Sequence, residues 1–347
     1  MSYTSPRSPV NDGAQDLRRR AARISFFIGL LMLTLKMGGY LITNSAAILS
    51  DALESVVHVV ATAVALYSVI LVGRPADRRH PYGYGKAEYF SAGLEGALIV
   101  FAAIAIVYEA TLDILRGPSL KSIDIGVVVI AAAGAINFTL GYYLVRIGKS
   151  TNSLVLVADG KHVLTDSYTS IGVLIGLILV KITDVVLLDP LFAIAVAINI
   201  VWTGYGLMRE SVRGLMNTAD PEMIERIVDV LNRTRTPAMI DVHRLRAWRA
   251  GERRFVDFHL TLPHYMPMEE GHSLMHTITD AVNDEFAEEV DLLIHFDPCN
   301  GDCCKFCPND DCAVRSSPRS IERPFTVASV QGEPAHLVLK NMEQLKM

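Results

Sequence analysis

Apolar residues run in six long blocks through the first two thirds of the chain: Ile24–Thr43, Ser45–Val72, Phe90–Leu115, Ile123–Ile147, Asn152–Val180 and Val185–Met208. Each is long enough to cross a bilayer as a helix, which takes about 20 residues at ~1.5 Å of rise each. From Asn217 onward charged residues become frequent and no long apolar run returns. Pro221–Asn232 reads as a helix, with Asp220 placed to cap it and Pro221 in its first turn. Met239–Trp248 and Arg254–Leu262 read as strands joined by a turn through Ala250, Gly251 and Glu252, and Met268–Phe286 as a second helix. Val290–Phe296 alternates about Asp291, Leu293 and His295, the pattern of a half-buried strand. After Pro298 no regular element is predicted, and the last 30 or so residues are expected to be partly disordered.

Composition supports the membrane reading. Of 347 residues, 51% are hydrophobic, and the mean hydropathy of +0.31 is unusual for a soluble chain. The net charge of −5 gives no signal for nucleic acid. The first 23 residues are polar and Arg-rich and do not read as a signal peptide. Arg18, Arg19, Arg20 and Arg23 precede the first block. Arg74, Arg78, Arg79 and Lys86 follow the second, Arg146 and Lys149 the fourth, and Arg209 and Arg213 the sixth. The other loops carry only Arg116, Lys121 and Lys181, so both termini are expected in the cytoplasm. The expected architecture is an α-helical membrane protein with a cytoplasmic N-terminal segment (1–23) and six transmembrane helices (24–208). A cytoplasmic αββαβ domain of ferredoxin-like type (209–298) and a cysteine-containing tail (299–347) complete it. A bacterial inner membrane is the expected location.

Ionisable groups interrupt two of the spans. Asp51, Glu54 and His58 lie in the second, and Asp159, His162 and Asp166 in the fifth. Each costs roughly 2.5–3.5 kcal/mol near the bilayer centre, so such groups persist when they have a partner or a task. Glu54 and His58 are spaced to share one helix face, and His162 and Asp166 repeat that spacing. Measured from the outer side, the first pair lies roughly 14–20 Å deep and the second roughly 21–27 Å, depths that coincide once tilt is allowed. Two imidazoles and two carboxylates then form an N2O2 shell suited to Zn²⁺. Asp51 and Asp159, one turn nearer the helix starts, are read as partners that orient the ligands or receive the ion. The alternative is a self-satisfied polar cluster that holds two helices together.

These residues carry a resemblance to the cation diffusion facilitator family. It rests on Asn44-Ser45 before the second span, the ligand pairs on spans two and five, the segment from Asp77 and His80 through Lys86 and Glu88, and the final His295-Phe296-Asp297-Pro298-Cys299. The resemblance covers about residues 20–298 and implies a homodimeric metal/proton antiporter with alternating access, not an enzyme. Two positions depart from the family pattern: His58 stands where many members carry Asp, and Tyr84 stands where a loop metal site would need His. Asp77 and His80 are therefore read as a structural loop before a metal site. His243, His259, His272, His295 and Asp297 match positions that bind metal in the tail domain of some members. His295 and Asp297 share a strand face, as do His259, Asp257 and Thr261.

The expected cargo is Zn²⁺, with Fe²⁺, Co²⁺ or Mn²⁺ as alternatives; two imidazoles argue against Mn²⁺. No organic cofactor is expected. A membrane metal sensor or intramembrane metalloenzyme is the competing class, but no His-Glu-x-x-His occurs. All five cysteines, Cys299, Cys303, Cys304, Cys307 and Cys312, fall within one short stretch. That clustering points to a soft-metal site in the tail, against the alternative of incidental residues in a loose end.

Overall fold

The computed structural model describes residues 9–43, 46–116, 124–183, 185, 187–287 and 290–344. The side chains of Asp51 and Glu54 fall outside the described set, so those two expectations are carried on the backbone alone. The chain divides into two units, Met1–Met216 and Asn217–Met347.

Among the described residues the first unit forms six helices: α1 (Pro9–Thr43), α2 (Ala46–Val72), α3 (Ala87–Arg116), α4 (Asp124–Ser150), α5 (Leu154–Thr183) and α6 (Leu188–Leu215). Among the described residues, Ala87–Arg116 and Pro190–Leu215 are long and apolar enough to cross a membrane. Large apolar side chains, Leu41, Phe101 and Trp202 among them, face outward, as a surface bathed in lipid requires. Between such helices there is no water to expel, so close backbone approach supplies the packing. Gly96 of α3 and Gly204 of α6 meet in this way: a Cβ on either would fall within 3.0 Å of the other's carbonyl oxygen. Gly141 of α4 and Gly160 of α5 form the matching contact between those two helices.

Helix α1 begins at Pro9, well before the apolar block that announces it. Arg18, counted in the sequence among the basic residues before the first span, is fully buried and lies 3.9 Å from the buried Glu88 at the start of α3. Glu88 accepts hydrogen bonds from Ser153 Oγ (3.0 Å) and the Leu154 amide (3.1 Å). A carboxylate there satisfies orphan donors at the N-terminus of α5 and complements its dipole. It thereby ties α1 and α3 to the helix that carries His162 and Asp166.

The second unit runs α7 (Pro221–Arg233), β1 (Asp241–Ala250), β2 (Arg253–Leu262), α8 (Met268–Phe286), β3 (Asp291–Pro298). Asp220 caps α7 by accepting from the Met223 amide, with Pro221 at the first turn. The sheet order is β1-β2-β3, with β1 antiparallel and β3 parallel to β2. Met223, Ile227 and Leu231 of α7 and Ile278 and Val282 of α8 bury one sheet face with Val256, Phe258 and Leu260. The alternate positions of β2, Asp257, His259 and Thr261, are left for the other face.

The described residues after Pro298 form regular elements, where none was predicted and partial disorder was expected over the last 30 or so residues. They form a 3₁₀ turn (Gly301–Lys305) and helices α9 (Val327–Gln331) and α10 (Ala335–Gln344). Phe325 and Val330 enter the main core, while Ile240, Cys303, Phe306, Cys307 and Ala335 make a second one. From Cys299 to Glu333 no helical period runs through the apolar positions, so burial against the preceding domain orders this part, whereas Ala335 and Leu339 of α10 are spaced to share one helix face.

Candidate metal centres

Helices α2 and α5 bring His58, His162 and Asp166 together: one ligand-type atom from each lies within 4.8 Å of the others. The His58 and His162 rings stack, centroids 5.1 Å apart and planes 9° from parallel. Gly29 of α1 makes room for this, since a Cβ there would stand 3.2 Å from His58 Cδ2. His162 is buried and Asp159, one turn earlier, is fully buried. Two imidazole nitrogens and a carboxylate within one sphere can hold a divalent transition metal.

Glu95 of α3 also reaches this group, and the sequence reading passed over it. Its carboxylate is buried, its Oε2 lies 3.8 Å from His162 Nδ1, and neither oxygen has a hydrogen-bond partner among the described residues. A carboxylate behind an imidazole is the arrangement that orients a metal-binding histidine. The signal was present: a single acid in the otherwise apolar run Ser91–Ala105, seven residues after Glu88.

Between α2 and α3, Asp77 is spent on its own loop. Oδ1 accepts from the Arg79 and His80 amides (both 2.8 Å), and Oδ2 accepts from Tyr84 Oη (2.7 Å). The Tyr84 hydroxyl, with the His80 and Arg79 amides, lowers the Asp77 pKa to about 2. Tyr84 thus fills the place of a third ligand by bonding the acid itself, and His80 Nδ1 rests 3.4 Å from Asp77.

In the second unit, strand register sets His243, His259 and His295 side by side across β1, β2 and β3, and Asp241, Thr261 and Asp297 likewise two residues away. Asp297 binds all three rings: Oδ2 lies 3.1 Å from His243 Nε2 and 3.0 Å from His259 Nδ1, and Oδ1 lies 3.0 Å from His295 Nδ1. Ligand atoms of His243, His259 and Asp297 fall within 4.8 Å of one another. Burial raises the Asp297 pKa, but the His259 hydrogen bond and the three histidine charges outweigh it and leave the pKa lowered. His272 does not join this group; its Nε2 sits 3.1 Å from His276 Nε2 on α8.

The row depends on a β-bulge. The β1–β2 register slips between His243 and Arg246, and Arg244 takes a left-handed φ of 53°. That conformation is costly for a side chain with a Cβ. The Arg244 amide donates to Gly332 O (2.9 Å) and its guanidinium pairs with Glu333 (2.6 Å), so the tail holds the bulge in place. Behind His243 stands the buried Asp241, 3.4 Å from Nδ1. Asp241 also accepts from Arg323 Nε (2.8 Å) and the Ala335 amide (3.0 Å).

A family model described as the cation efflux transmembrane domain matches residues 22–216, and one described as the cytoplasmic domain of cation efflux proteins matches residues 219–299. An uncharacterized transporter of Synechocystis is 38% identical over 266 residues, which is 77% of this chain and 86% of that protein. The manganese efflux system protein MneP of Bacillus subtilis is 28% identical over 291 residues, 82% of this chain and 97% of its own. The cation-efflux pump FieF of Shewanella oneidensis is 28% identical over 278 residues, 80% of this chain and 93% of its own.

Proposed function

Because the chain belongs to the cation efflux, or cation diffusion facilitator, family of integral membrane metal transporters, we propose that its cargo is Zn²⁺, carried out of the cytoplasm in exchange for protons. The observation that carries this is the convergence of His58, His162 and Asp166 between two apolar helices. Three donors at such a site leave room for at least one more, and Glu54, one turn before His58, is the residue proposed to complete the shell. Asp51 and Asp159 then serve as partners along the ion's path, and Glu95 steadies His162.

Two nitrogens among the three described donors favour Zn²⁺, Fe²⁺ or Co²⁺ over the oxygen-preferring Mn²⁺. Manganese is the second reading, because a relative over most of the chain is named for its efflux. Proton exchange follows from ligand chemistry: the ion binds neutral imidazole and ionised carboxylate, so metal and protons compete for the same atoms. The positive-inside bias of the loops supports six spans with both termini in the cytoplasm, in an inner membrane. A homodimer is proposed from the family's tail domain, and the His243–His259–His295–Asp297 row is proposed to register cytoplasmic metal.

The test is metal transport in sealed proteoliposomes. His162→Ala and Asp166→Ala should each abolish Zn²⁺ movement while the protein remains inserted and monodisperse. Either variant moving Zn²⁺ at the wild-type rate would show that the ion does not use this site. Competition among Zn²⁺, Fe²⁺, Co²⁺ and Mn²⁺ in the same vesicles ranks the cargo.

A further inference from the structure

The tail holds a cavity of about 430 Å³ into which the five cysteines and His264 are gathered. The five are not equivalent. Cys303 is 2% exposed and packs with Cys307 in the small core of Ile240, Phe306 and Ala335, but its thiol is turned to Asn300 Oδ1, to which it donates at 3.3 Å. The other four are spaced Cys299-x4-Cys304-x2-Cys307-x4-Cys312.

Several groups are already arranged around those sulfurs as they would be around thiolates. The His264 amide donates to Cys299 Sγ at 3.4 Å, with His264 Nδ1 3.6 Å from the same sulfur. The Ser316 amide and hydroxyl both donate to Cys304 Sγ at 3.5 Å. Arg315 donates to the carbonyls of Cys304 (2.9 Å) and Cys307 (3.1 Å), which pins the cysteine loop and brings a positive charge to it. N–H donors on sulfur and a nearby cation stabilise a metal-bound thiolate set. All five cysteines are free.

We propose that Cys299, Cys304, Cys307 and Cys312 form a four-thiolate centre for a thiophilic metal, distinct from both histidine sites, with Cys303 excluded from it. Four thiolates at such short spacings serve either a single Zn²⁺ or an iron–sulfur cluster. The site needs no assumption about the transported ion. It also accounts for a well-ordered segment with little regular structure, since a metal centre ties chain together where a core is small.

The experiment uses the full chain, purified anaerobically in detergent with reductant and assayed for zinc, iron and acid-labile sulfide. In the Cys304→Ser and Cys307→Ser variants, either about one equivalent of zinc per chain or the iron with its sulfide should be lost, while Cys303→Ser keeps the wild-type content. Zinc loss identifies the single-ion centre, and joint loss of iron and sulfide identifies the cluster. Co²⁺ added to metal-stripped wild-type protein provides a second measurement that does not depend on a variant folding. Intense thiolate-to-cobalt charge-transfer absorption should appear and be retained in Cys303→Ser. The proposal is overturned if the stripped wild-type protein gives no such absorption. It is also overturned if metal content is unchanged in Cys304→Ser and Cys307→Ser, or falls as far in Cys303→Ser.

Discussion

Replacing Asp241 by Ala should release the tail from the domain it packs on. The buried carboxylate accepts from Arg323 at 2.8 Å and from the first amide of α10 at 3.0 Å, and it backs His243 at 3.4 Å. Each hydrogen bond to a charged group contributes about 1.5–3 kcal/mol, and a buried donor left unsatisfied adds to the loss. Arg323 keeps 20% of its side chain exposed and recovers part of this by hydration. A net cost of about 3 kcal/mol to tail docking is therefore expected, which raises the open population about 100-fold. Hydrogen–deuterium exchange on the full chain in detergent reads that population directly. Ala335–Gln344 amides should exchange about 100-fold faster while those of α3 and α6 do not change. Asp241→Asn retains an acceptor and loses the charge, so its effect should be intermediate. Zn²⁺ affinity at the tail histidines should fall about 10–100-fold in the Ala variant, as expected when the group behind a ligand is removed. If α10 exchange in Asp241→Ala stays within about twofold of wild type, the tail is not held by this carboxylate and the reasoning fails.

Four further outcomes follow from the geometry. Glu95→Gln should lower the Zn²⁺ transport rate by about 10–100-fold with the protein intact, and a wild-type initial rate in proteoliposomes would remove Glu95 from the site. His58→Asp should move preference from Zn²⁺ toward Mn²⁺, because oxygen replaces nitrogen; an unchanged Zn²⁺/Mn²⁺ ratio would mean that His58 does not set selectivity. A proton gradient directed inward should accelerate zinc export at clamped membrane potential, whereas transport indifferent to ΔpH would rule out the exchange. Arg233 and Arg226 hydrogen-bond Glu285 and lower its pKa, clamping the end of α8 to α7. That contribution is complete above the unfolded carboxylate's pKa and is lost as pH falls through the lowered folded value. Glu285→Gln should accordingly flatten the acid limb of tail-domain stability, as measured by chemical unfolding at a series of pH values.

Much of this protein is determined by its linear pattern. Apolar runs of bilayer length set the long helices, because lipid forces the backbone to satisfy its own hydrogen bonds and leaves few alternatives. The spacings of Glu54 with His58 and of His162 with Asp166 place each pair on one face, since the helical period alone decides that. In the tail, Asp220 and Pro221 start α7 and the two-residue alternation of β2 divides core from site, both local effects. What the pattern did not contain was proximity. Glu95 sits on a different helix from His162, and only the close crossings of α3, α5 and α6 bring it within 3.8 Å. Arg18 stood in the sequence as one of four arginines before the first span, and only packing shows it buried against Glu88. The row of three histidines exists through strand register and a bulge at Arg244, which residues nearly ninety positions later hold in place. From Cys299 to Glu333 the chain has no apolar period, and its order comes from contact with another part of the chain. Separating Cys303 from its four neighbours likewise depends on the folded turn that seats its thiol on Asn300. Period and local propensity are properties of short stretches and can be read in order along the chain; burial and convergence belong to pairs of distant residues and appear only once the chain has folded.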